Sequence, residues 1–162
     1  MTTLVRWDPL REAAAMHVQD NFAPPVGFCP HDRKSPLTDP WEPLYSRKAD
    51  RAVVIGLRAG PAHTNSRGFV HGGLIGALAD NAMGLSCARA SGHTGGFVTV
   101  SLNVDFLGAA FEGQWLEFDT VFVKPGRTLC FAQAFVTADG QPCARANAVF
   151  RVLDANPRRT AA

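Results

Sequence analysis

Hydrophobic and polar positions along the chain follow two different periods. From Leu74 to Ala90 the run is apolar almost throughout, with Leu74, Ile75, Leu78, Met83, Leu85 and several alanines. Few of these residues are β-branched, which predicts a helix. Its length and apolarity predict burial on most sides rather than a surface amphipathic helix. Phe97 to Leu107 alternates instead and predicts a half-buried strand. Val98, Val100, Leu102, Val104 and Phe106 take one face, and Thr99, Ser101, Asn103 and Asp105 the other. Leu44 to Lys48, Ala52 to Arg58, Trp115 to Lys124, Leu129 to Ala138 and Cys143 to Leu153 read as further strands. Ala49-Asp50-Arg51, Pro125-Gly126 and Asp139-Gly140 supply turns between neighbours. Consecutive strands with short turns imply an antiparallel sheet, one apolar face of which can cover the helix. The pattern alone also allows other α+β folds.

Upstream, Asp8-Pro9 is a helix opening, with a capping side chain followed by proline at the first helical position, and Leu10 to about Gln19 continues it. Phe22 to Trp41 has no period and contains Pro24, Pro25, Pro30, Pro36 and Pro40. Phe22, Phe28, Leu37 and Trp41 predict that this arm drapes over the domain, because they would otherwise be exposed. Residues 1–43 are thus a helix and arm, 44–154 the main domain and 155–162 a tail. At 162 residues the chain is long enough to bury a core without staples.

A formal net charge of +2 from scattered basic residues gives no nucleic-acid signature. The longest apolar stretch carries Asp80 and several glycines, so no membrane span is predicted. Arg6, Asp8, Arg11 and Glu12 break any signal-peptide pattern, which makes a cytoplasmic location the default expectation. Cys29, Cys87, Cys130 and Cys143 lack metal or redox spacing and read as small buried apolar residues. His63 reads as an isolated loop residue and His93 as a solvated one.

Chemistry concentrates around the helix. Asp80 is the one charge in it before Arg89. A carboxylate in such a run is costly unless it is paired or borders a wet cleft. At the other end, His71-Gly72-Gly73 leaves amide N–H groups unshielded by bulky side chains. Such an end can hold an anion or a developing oxyanion. Asp80 lies ~12 Å along the axis from Gly72, too far for one helix to bring both to one carbonyl. Joint action therefore requires a second, oppositely oriented copy, a two-fold dimer with two composite sites. A metal site from His63, His71 and Asp80 is a minor alternative, and no metal is expected.

The pattern Asn65-x2-Gly68-x2-His71-Gly72-Gly73-x6-Asp80 resembles that of the hotdog-fold acyl-CoA thioesterases of the phenylacetate-degradation (PaaI-like) type. The strand from Val98 to Leu107 and Lys124-Pro125-Gly126-Arg127 also match, and the likeness spans roughly Leu44 to Leu153. It implies an α+β hotdog fold, a long helix wrapped by a curved antiparallel sheet, paired into homodimers and often tetramers. It further implies hydrolysis of an acyl-CoA thioester, with coenzyme A entering as part of the substrate and no separate cofactor. Asp80 is then general base or nucleophile, and the Gly72 N–H polarises the carbonyl. Asn65 assists there, His71 shapes the thioester site and Thr99 is the nearest match to a hydroxyl beside the attacking water. Ser101 shares the face of Thr99 if alternation is strict. Gly73, Lys124 and Arg127 are candidate substrate-binding residues, the last two near the nucleotide, with Arg67 or Arg89 as possible additions. Asn65 can equally serve as a local cap, and the arm either walls the acyl pocket or simply packs. A non-catalytic acyl-CoA binding or sensing protein and a hotdog dehydratase are the other readings.

Overall fold

The computed structural model describes residues 23–93 and 95–154. The expected helix at Leu10 to Gln19 and the tail beyond 154 lie outside the described residues.

Seven strands and one long helix make up the described chain. They are β1 (Cys29–Pro30), β2 (Leu44–Lys48), β3 (Val53–Arg58), α1 (Gly72–Ser91), β4 (Phe97–Phe106), β5 (Trp115–Lys124), β6 (Leu129–Ala138) and β7 (Gln141–Val152). Every pairing is antiparallel, in the order β1-β2-β3-β5-β6-β7-β4. The helix touches β3 through β7, so the sheet curves around it. This is the hotdog arrangement that the resemblance implies.

The core is the seam between helix and sheet. Leu74, Ile75, Leu78, Ala82, Met83 and Cys87 of α1 meet Ile55, Leu57, Leu116, Phe118, Val136 and Phe150. The alanines of β6 and β7 on this face, including Ala132, Ala134, Ala146 and Ala148, let the helix approach closely. Ser86 ties α1 to β3, its Oγ donating to the Ala82 carbonyl (2.7 Å) and accepting from the Val53 N–H (3.0 Å). Gly92, with φ of 64°, ends the helix in the left-handed conformation that a C-terminal cap requires.

Burial on most sides is not what the helix shows. Gly76, Ala77, Asp80, Asn81, Gly84, Leu85 and Ala88 form a partly exposed stripe that the chain's own sheet leaves uncovered. Apart from Asp80 and Asn81, the two faces differ in residue size more than in apolar character, so the apolarity pattern did not separate them. β4 also departs from expectation. The register slips between Thr99 and Ser101, leaving Val100 as a bulge. Thr99 pairs with buried Phe150, and Leu102 with buried Ala148, so both face the helix; Ser101 pairs with Val149 and faces away. Strict alternation from Val98 to Phe106 is therefore broken. The strand is not half-buried either, since Val100 is 59% and Phe106 57% exposed.

The arm packs onto the sheet through Phe28 and Trp41, whereas Leu37 is exposed, contrary to expectation, and Phe22 lies outside the described residues. β1 pairs with β2, and the Phe28 ring meets Trp115 edge-on at 5.2 Å. Trp41 packs against the helix-side core. His63 is buried rather than loose. Its Nδ1 accepts from the Gly60 N–H (2.8 Å) and its Nε2 lies 3.2 Å from the Trp41 carbonyl, joining arm to loop. Burial lowers its pKa below the usual histidine value. Cys87, Cys130 and Cys143 are buried as expected, whereas Cys29 is exposed at the sheet edge.

Candidate active site

Asp80 sits mid-helix on the uncovered stripe, at a cavity of about 190 Å³ between α1, the start of β4 and β7. The Thr99 hydroxyl donates to its Oδ1 at 2.8 Å. The bulge at Val100 is what turns Thr99 toward the helix while sending Ser101 to the opposite face. Burial raises the Asp80 pKa above the ordinary carboxylate value, and the Thr99 hydrogen bond pulls it partly back. The carboxylate is thus more basic than a solvated one and has one oxygen oriented by a donor.

The helix N-terminus forms a second, separate centre. His71 caps the helix, its Nδ1 accepting from the Gly73 N–H at 2.9 Å. That bond occupies the Gly73 amide. The Gly72 N–H, in the first turn, has no intrahelical carbonyl to reach and no partner among the described residues. Gly72 opens onto a concavity lined by Phe69, Ile75, Phe106 and Leu107. A Cβ at Gly72 would meet the Phe106 ring at 2.9 Å, so glycine allows this close approach. Asn65 builds the loop leading in. Its Oδ1 accepts from the N–H groups of Arg67 (2.9 Å) and Phe69 (3.3 Å), and Gly68 takes a φ of 79°. The capping role is therefore present.

One chain does not unite these centres. Asp80 and Thr99 line one cavity, while Gly72 lines another.

Residues 67–144 match the thioesterase superfamily. A Pseudomonas aeruginosa protein, provisionally named an esterase, is 39% identical over 129 residues, covering 79% of this chain and 96% of its own. The chain belongs to the thioesterase superfamily. Human acyl-coenzyme A thioesterase 13 is 32% identical to this thioesterase over 87 residues, 52% of this chain and 60% of that one. Among solved structures, a mutant of the phenylacetic acid degradation protein PaaI from Thermus thermophilus superposes with a TM-score of 0.63 at 25% identity. That match covers 75% of this chain and all of the other. The chain is a PaaI-like thioester hydrolase of hotdog fold.

The remaining candidates of this thioesterase are dispersed. Lys124 is exposed and pairs with Phe131 on the sheet face turned away from the helix, and Arg127 is exposed in the β5–β6 turn. Neither meets Asp80 or Gly72 within the chain. Arg89 is engaged elsewhere, its Nε donating to the Ala49 carbonyl at 2.7 Å. Among the described residues no three metal-ligating side chains cluster, and no helix is long and apolar enough to cross a membrane. Arg33, from the arm, lines the Asp80 cavity, as does Asn81. Sequence reasoning passed over both. An aperiodic arm gives no signal of where it lands, whereas Asn81, a half-buried polar residue beside Asp80 in an apolar helix, carried one.

Proposed function

We propose that this thioesterase hydrolyses acyl-CoA thioesters at sites shared by two copies of the chain. The observation carrying this reading is the Thr99–Asp80 pair at its cavity, separated along the helix from the bare Gly72 amide. Asp80, ionised, is held by Thr99 and takes a proton from water as it attacks, or attacks the carbonyl itself. The Gly72 N–H of the second copy, at a helix N-terminus, receives the charge that develops on the carbonyl oxygen. His71 fixes the first turn by holding the Gly73 amide, which keeps the Gly72 donor aimed outward. Asn65 shapes the preceding loop, and its amide nitrogen is available to the same oxygen. Thiolate is a competent leaving group, so no strong acid is needed opposite.

Self-association is supported by the sheet itself. β4 is an edge strand with exposed Val98, Val100, Leu102 and Phe106, the kind of edge that a second β4 would cover. The outward face carries exposed Phe122, Phe131 and Phe135, surface for pairing dimers into tetramers. Lys124 and Arg127 would meet the nucleotide only in such an assembly.

The test is thiol release from a panel of acyl-CoAs by the wild type and Asp80→Asn. Asparagine keeps an oxygen for the Thr99 hydroxyl but cannot take the proton. A fall of about 10²-fold or more in kcat is expected, the lower range for a lost general base. Stability should hold. A carboxyl whose folded pKa is raised costs stability as pH rises through that value, so its neutral replacement removes a cost at neutral pH. Undiminished thiol release by folded Asp80→Asn would remove Asp80 from the mechanism.

A further inference from the structure

We propose that Arg33 makes this thioesterase selective for short acyl groups bearing a negative charge at the end remote from the thioester. The proposal rests on the hydrolysis reading above and adds the class of acyl group.

The cavity beside Asp80 is small, about 190 Å³. A cavity of roughly 150 Å³ accommodates benzene. The part of the shared site that this copy walls therefore holds an acyl group of about five or six carbons, with coenzyme A outside it. Asp80 and Thr99 mark the reacting end, and Leu85, Phe97 and Phe150 supply apolar wall. The other polar side chains lining it are Asn81 and Arg33. Neither has a hydrogen-bond or ion-pair partner among the described residues. An unpaired amide in the pocket wall and an unpaired guanidinium where the pocket meets solvent suit a substrate with its own polar terminus. A guanidinium binds carboxylate through two parallel hydrogen bonds.

The position of Arg33 is built, not incidental. Two residues upstream, His31 is buried, and its N–H donates to the Leu44 carbonyl at 2.9 Å. β1 pairs with β2, and Phe28 locks against Trp115. Phe28 and Trp115 pack on the sheet face away from the helix and Trp41 on the helix side, so the arm crosses between them and Arg33 reaches the cavity. The phosphates of coenzyme A are an unsuitable target from there. The pantetheine arm separates them from the sulfur by far more than the width of this pocket, and Asp80, where the sulfur must come, lines the same pocket.

The experiment compares glutaryl-CoA with pentanoyl-CoA, equal in carbon number and differing in the terminal carboxylate. Values of kcat/KM are measured for the wild type, Arg33→Ala and Arg33→Lys. Arg33 is exposed, so both variants should fold as the wild type does. The wild type should prefer glutaryl-CoA. Arg33→Ala should lose about tenfold on glutaryl-CoA, the size of one charge-assisted contact, and less than about twofold on pentanoyl-CoA. Lysine should restore part of the loss. Equal loss on both thioesters would place Arg33 on the shared coenzyme and overturn the proposal, as would no loss on either. Absence of thiol release by the wild type from these two and from every other acyl-CoA of the panel would sink the hydrolysis reading alone, whereas release from others but not from glutaryl-CoA would overturn the selectivity. Calorimetric Kd values for the same pair then decide selectivity. Tighter glutaryl-CoA binding that vanishes in Arg33→Ala upholds it, and equal binding overturns it.

Discussion

The two edges of the sheet are finished in different ways. At the β1–β2 edge the chain closes its own surface, with Phe28 against Trp115 and His63 bonded to the Trp41 carbonyl. Arg47 stacks over the Phe28 ring at 5.2 Å. At the β4 edge nothing in the described chain does so, and Val98, Val100, Leu102 and Phe106 are left 39–59% exposed. A free edge with apolar side chains is a site for pairing with another strand. The same bare edge carries Thr99, and through it Asp80. The contrast teaches that the chemistry sits on the side of the molecule that one copy leaves incomplete, while the finished side serves to place Arg33.

Three substitutions act on the two edges with different expected consequences. Leu102→Asp puts a charge on the bare edge. It should dissociate the assembly in light scattering and cut turnover by about 10²-fold or more, because each site then lacks the partner's Gly72 N–H donor. Circular dichroism should show the fold retained, because Leu102, although on the helix side, lies on the edge strand and is 39% exposed within one chain. Gly56→Ala attacks the finished edge instead. The new Cβ would run into the Trp115 ring and come within 2.9 Å of Phe28. Overpacking of this kind costs about 1–3 kcal/mol, visible in denaturant unfolding, with assembly unchanged. Thr99→Val has the smallest expected effect. It keeps shape and removes the 2.8 Å bond to Asp80, so kcat should fall about tenfold. Because that bond lowers the Asp80 pKa, the acid limb of the rate profile should move to higher pH. An unmoved limb would mean that Thr99 does not act through Asp80.

Much of the fold was legible in the chain. β2, β5 and β6 have the bounds that their patterns imply, and Asp80 stood out as a costly charge in an apolar run. The bulge at Val100 was not legible, because alternation of residue type continues across it while the backbone does not. Thr99 and Ser101 were therefore placed on one face, and the bulge puts them on opposite faces. The open stripe on α1 was hidden because Gly and Ala look as apolar as Leu although they cover far less. Burial of His63 and the landing of Arg33 depend on long-range contacts of an arm with no period of its own. The distance along the helix between Gly72 and Asp80 was readable from spacing alone, and with it the case for a shared site.

Subunit mixing tests the shared site most directly. Gly72→Pro deletes the donor while the helix is kept, since proline suits the first helical position and extended His71 tolerates it. The new Cβ would press the Phe106 ring at the pairing edge, so light scattering must first show that the variant still dimerises. Gly72→Pro and Asp80→Asn should each be nearly inactive alone. Refolded together in equal amounts, half of the dimers are mixed and each holds one intact site, giving about a quarter of wild-type activity. Activity in the mixture no higher than that of the two parents would contradict a site shared between copies.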